Sequence, residues 1–71
     1  MRDIQFLVLA VDLGLRRCII EGGEVCHIQS FYNFHGDETD DPFCAAMGIA
    51  QHSSGVWFIV DLRILPSAAV H

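Results

Sequence analysis

Cysteine, histidine and carboxylate side chains are the groups in this chain that could do chemistry, and three chemistries come into question. Metal binding would draw on Cys26, His27, His35, Asp37, Cys44 and His52. Cys26 and His27 are adjacent, so on a strand they point to opposite faces and cannot share an ion. No pair shows the spacing of a zinc site. The run from His35 to Pro42 fails the calcium-loop pattern, because Gly36 precedes the acids and no Glu closes the loop. No metal and no cofactor is expected. Nucleophilic chemistry would fall to Cys44, placed in the first turn of a helix where the dipole lowers a thiol pKa, with His35 or His52 as base. Asp40 and Asp41 beside it act in the opposite sense, and a buried structural thiol is the preferred reading. Acid–base chemistry would fall to Asp37, Glu38, Asp40 and Asp41. That chemistry needs a pocket to shift their pKa values, and an exposed loop offers none. The chain is not expected to be an enzyme.

Those same four acids, out of nine in the chain, lie within five positions. No Lys or Arg occurs from Cys18 to Leu62, so they have no partner nearby in sequence. The bland reading is a solvated turn that ends in a helix cap. The functional reading is a presented acidic surface, with Glu21 and Glu24 adding charge at another loop. Trp57 and Ile59, with Phe31, would supply an apolar hot spot unless the N-terminal segment packs over them.

The whole chain leans the same way. It has 71 residues, 52% of them hydrophobic, and a net charge of −5. Its only cations are Arg2, Arg16, Arg17 and Arg63. Nucleic-acid binding relies on Lys and Arg neutralising phosphates, and anionic membranes select for the same residues. Both are disfavoured, and a basic protein surface is favoured. Cys18, Cys26 and Cys44 make an odd count without paired spacing, which predicts reduced thiols and a cytoplasmic protein. The apolar run Ile4–Val11 is too short to cross a membrane, and Asp3 spoils it as a leader sequence. The apolar content exceeds what one small core hides, so homodimerisation or docking is a natural outlet.

The elements that must position these groups form one domain over residues 1–71. The segment Ile4–Leu15 reads as strand or helix, with its β-branched residues tilting toward strand. Arg17–Glu21 and Glu24–Phe34 read as strands joined by a two-residue turn at Gly22-Gly23. Strict alternation puts Cys26, Ile28, Ser30, Tyr32 and Phe34 on the core face. Asp41 is placed as a helix cap with Pro42 at the first helical position. Pro42–Gln51 then reads as a short helix with a stripe of Phe43, Ala46, Met47 and Ala50. After a turn at Ser53-Ser54-Gly55, Val56–Leu65 reads as a strand with Val56, Phe58, Val60, Leu62 and Ile64 on one face. Residues 66–71 read as a frayed tail. The expected fold class is therefore α+β: a small antiparallel sheet of three to four strands with one helix packed on it, in the order (β or α)-β-β-α-β.

The stretches Ser30-Phe31-Tyr32, Gly36-Asp37-Glu38-Thr39-Asp40-Asp41-Pro42, Ala45-Ala46, Gly55-x-Trp57 and Val60-Asp61-Leu62 resemble small acidic orphan proteins of phages and mobile elements, anti-CRISPR proteins among them. The resemblance covers roughly residues 17–65. It implies an inhibitor acting as a nucleic-acid mimic on a basic surface of a host defence protein, and it carries no catalytic residue across. The expected partner-binding residues are Asp37, Glu38, Asp40, Asp41, Glu21, Glu24 and Trp57. The alternative is a homo-oligomeric structural or regulatory module with no nucleic-acid connection.

Overall fold

A computed structural model describes residues 5–64 as a single curled antiparallel sheet. Its strands are β1 (Val8–Asp12), β2 (Arg17–Ile20), β3 (Val25–Tyr32), β4 (Glu38–Thr39), β5 (Met47–Gln51) and β6 (Trp57–Asp61). They lie side by side in the order β1-β2-β3-β5-β6. The short β4 pairs with the end of β3, on the edge that β5 leaves free. Sheet curvature brings the inner faces together around Val11, Cys18, Ile20, Ile28, Phe31, Phe58 and Val60, all essentially inaccessible to water. The result is half of a barrel. The expected frayed tail at 66–71 lies outside the described residues.

The α+β expectation is overturned, because there is no α-helix among the described residues. The start signal at Asp41-Pro42 is real but short-lived. Asp41 Oδ1 accepts a hydrogen bond from the Phe43 amide at 3.0 Å, and Pro42–Cys44 makes one 3₁₀ turn. The chain then turns into β5 and fills the space between β3 and β6. Two periodicities compete in this segment. Phe43, Ala46, Met47 and Ala50 fit a helical stripe, whereas Ala46, Gly48 and Ala50 are small residues spaced by two. The second spacing wins, and those three are buried. At Gly48 the backbone passes so close to β3 that an added Cβ would lie 2.6 Å from Ile28 Cγ2. An isolated helix of ten residues gains little by itself, while a strand here satisfies the facing edges of two neighbours.

The N-terminal segment resolves as a strand and forms a hairpin with β2. Asp12 Oδ1 accepts from the Leu15 amide at 3.1 Å, and Arg16 takes a left-handed conformation at φ 54° to close the turn. The expected two-residue turn is instead a three-residue one: Glu21–Gly23 form a 3₁₀ turn between β2 and β3, closed by the Ile20 amide donating to the Glu24 carbonyl at 3.0 Å, with φ of 88° and 87° at Gly22 and Gly23, values open to glycine without strain.

The core face of β3 is corrected in its second half. Cys26 and Ile28 point inward as expected, but Phe31 is buried in place of Ser30, Tyr32 and Phe34. The register of β3 against β5 shifts between Ile28 and Ser30. One extra residue in a strand reverses the parity of every side chain beyond it. Strand β6 keeps the expected parity at Phe58 and Val60, both inside, but Ile64, expected on the same face, is 78% exposed, and the strand ends at Asp61. There the side chain accepts hydrogen bonds from both the amide and the guanidinium of Arg63 and turns the chain.

Candidate protein-docking site

The seven residues expected to bind a partner fall on two separate ends of the sheet. Glu24 precedes β3 and Glu38 pairs with Tyr32 at its far end. At about 3.3 Å per residue, the length of β3 alone separates them by roughly 25 Å. They do not form one surface.

Glu21 and Glu24 are occupied within the chain. Glu21 Oε1 accepts from the Leu7 amide at 3.3 Å. Glu24 joins two hairpin tips: it accepts from the Ser53 amide at 2.9 Å and from the Ser53 hydroxyl at 2.8 Å, and His52 Nε2 lies 3.2 Å away. The Ser53 hydrogen bonds, hydroxyl first, hold the Glu24 carboxyl below its ordinary pKa. His52 Nδ1 faces both the amide and the hydroxyl of Ser54, at 3.1 and 2.8 Å, and Phe6 stacks on the imidazole at 4.6 Å. Sequence reasoning missed this cluster, because its members are 29 positions apart and belong to different hairpins. Its bonds run within turns and between tips, so it clips the open end of the half-barrel together.

At the other end, the segment between β3 and β5 presents Asp37, Glu38, Asp40 and Asp41, all exposed. The segment is firmly built. Asn33 Oδ1 accepts from the amides of His35 and Asp37 at 2.9 and 3.0 Å, and Asn33 and Asp37 are also bonded through the backbone at 2.9 Å. Thr39 Oγ1 accepts from the Asp41 amide at 3.2 Å. Arg16 reaches this segment from the β1–β2 turn, but donates to the carbonyl of Asp40 at 3.0 Å and to no carboxylate. Among the described residues, Asp37, Glu38 and Asp40 enter no ion pair. Asp41 differs, since its carboxylate caps Phe43 and accepts from the Cys44 thiol at 3.2 Å.

Two residues of this end were misplaced by the sequence reading. Phe34, assigned to the core face of β3, is 75% exposed, and Phe43, assigned to a helix stripe, is 67% exposed. The signal for Phe34 was present: Asn33 and Gly36 frame a turn, inside which strand alternation has no meaning. The end thus carries exposed carboxylates and exposed phenyl rings together. Trp57 lies elsewhere, paired with Gln51, and is 53% exposed beside Ile59 at 62%. Phe31 is buried and is not part of that patch.

The reading of Cys44 as a buried structural thiol is corrected by the geometry. Cys44 is exposed, and the hydrogen bond to Asp41, followed by its charge, pushes the thiol pKa up. Burial, reinforced by the nearby Cys26, raises Cys18 to about 11. Among the described residues no three metal-ligating side chains are gathered together. No helix among them is long and apolar enough to cross a membrane.

Comparison of the chain with known protein families, with curated proteins and with solved structures returns no match.

Proposed function

We propose that this chain is a protein-binding domain that docks its β3–β5 end onto a basic surface of another protein. Its most concrete form is a phage-type, anti-CRISPR-like inhibitor that covers a nucleic-acid-binding surface of a host defence protein. The observation that carries the reading is the pairing of free carboxylates at Asp37, Glu38 and Asp40 with exposed rings at Phe34 and Phe43 on one internally bonded segment. Clustered acids speed the encounter with a basic partner and set its orientation. Apolar anchors supply the affinity. A segment already held by Asn33 and Thr39 loses little conformational freedom on binding. A reducing, cytoplasmic setting belongs to the same proposal, supported by the free thiols of Cys18, Cys26 and Cys44.

The test is capture of partners from the native host, with identification by mass spectrometry. The wild type is compared with Asp37→Asn/Glu38→Gln/Asp40→Asn, with Phe34→Ser/Phe43→Ser and with Trp57→Ala. The expected partner is basic, is lost by the first two variants, is kept by the third, and is displaced by added nucleic acid. A partner retained equally by the acid-neutralised variant would remove the acidic end from the mechanism.

A further inference from the structure

Among the described residues, the outer edge of β6 is an open strand. His52 donates to the Val56 carbonyl and Leu62 donates to the Ala46 carbonyl, at the two ends of the β5–β6 pairing. Antiparallel ladders alternate, so the amides and carbonyls of Phe58 and Val60 face β5. Those of Trp57, Ile59 and Asp61 face outward, and none of the described residues pairs with them. An apolar groove of about 600 Å3 lies between Gln5–Val8 and the residues Ile59, Asp61 and Ile64.

Exposed edges are ordinarily blunted by charge, proline or a bulge. The β1 edge follows that rule, with a register shift between Val8 and Ala10 and the Asp12–Arg17 ion pair at its end. The β6 edge carries charge only at its end, in the Asp61–Arg63 pair. Trp57-Phe58-Ile59-Val60 carries no charge and no proline, and its pairing with β5 is unbroken. Trp57 and Ile59 also present exposed side chains, so backbone and side chain are offered at the same positions.

We propose that this edge pairs with the β6 edge of a second copy, antiparallel about a two-fold axis at Ile59, to make one continuous sheet across the dimer. Charge selects this occupant. The chain as a whole is acidic, but the only carboxylate on the edge, Asp61, is held by Arg63 at 3.0 Å. A basic partner finds no free acid there, and a second copy meets no like charge. The register is self-complementary. Ile59 of one copy lies opposite Ile59 of the other, and Trp57 lies opposite Asp61. Arg63, next to Asp61, then comes within reach of the indole face, a favourable site for a guanidinium. Trp57 and Ile59, 53% and 62% exposed, are the apolar side chains this edge would bury. A seam of five residues per copy is smaller than the standard interface of stable complexes, so the association is a reversible one, to be sought at micromolar concentrations and above. The acidic β3–β5 end is a different surface and stays free in both copies.

Sedimentation of the whole chain from about 1 to 300 μM tests this, together with emission from Trp57, the single tryptophan. Mass should rise from 7.9 kDa toward twice that value, and Trp57 emission should shift to the blue along the same isotherm. Ile59→Lys should weaken association at least tenfold. In a Cys44→Ser background, Ile59→Cys should cross-link to a covalent dimer on mild oxidation, because opposed residues of a bonded pair lie about 5.5 Å apart, within disulfide range. Phe43→Cys in the same background should cross-link far more slowly. A monomer throughout the range overturns the proposal. So does a dimer that tolerates Ile59→Lys, or equal cross-linking at positions 59 and 43.

Discussion

Gly48→Ala separates the observed strand from the helix that the sequence suggests, because the two predict opposite signs. Inside a helix the substitution stabilises by about 1 kcal/mol. In β5 the new Cβ would lie 2.6 Å from Ile28 Cγ2, 3.5 Å from the Ser30 carbonyl oxygen and 3.6 Å from Phe31 Cδ1. Ile28 is 1% exposed and branched at Cβ, so its methyl cannot swing clear. Overpacking of this kind costs about 1–3 kcal/mol. Gly48 does not have positive φ, so alanine recovers roughly 0.4–1 kcal/mol by restricting the unfolded chain. The net expectation is a loss of about 1–2 kcal/mol, or a fall in Tm of roughly 5–15 °C for a domain of this size. Thermal and urea denaturation followed by circular dichroism measure it. In an Ile28→Ala background the clashing methyl is gone, and the cost of Gly48→Ala should shrink by at least about 1 kcal/mol. A Tm that rises in the single variant would refute both the close approach and the placement of β5 between β3 and β6.

Phe31→Ala should cost about 3–5 kcal/mol, enough to unfold a small domain, whereas Phe34→Ser should leave urea stability nearly unchanged; equal effects would remove the register shift in β3. Glu24 has a lowered folded pKa, so its contribution is complete above the ordinary value of 4.5 and is lost as the pH falls through the folded one. The urea midpoint of the wild type should therefore fall more steeply below pH 4.5 than that of Glu24→Gln, and parallel curves would contradict the Ser53 clip. Asp41→Asn keeps the cap on Phe43 but removes both the Oδ2 acceptor of the thiol hydrogen bond and the charge, which together raise the Cys44 pKa; alkylation of Cys44 at mildly alkaline pH should become several-fold faster, and an unchanged rate would rule out the thiol–carboxylate contact.

What the sequence determined by itself is what local chemistry decides. Gly22-Gly23 makes a turn because both positions take positive φ. Asp41-Pro42 starts a helical turn because one side chain caps it and one ring fixes its φ. Phe58 and Val60 face inward because β6 alternates without interruption. Charge is equally local, and the acidic run is exposed where its composition puts it. Tertiary structure decided everything that depends on a neighbour. Whether Ala46–Ala50 becomes helix or strand rests on β3 and β6 having edges to fill and on Ile28 leaving room only for glycine. Which residues of β3 reach the core rests on a register shift that exists only against β5. Glu24 belongs to Ser53 and His52, and is parted from the other acids, because sheet curvature brings two hairpin tips together. A periodicity states which side chains share a face; only the packing partner decides which period is used and where it slips.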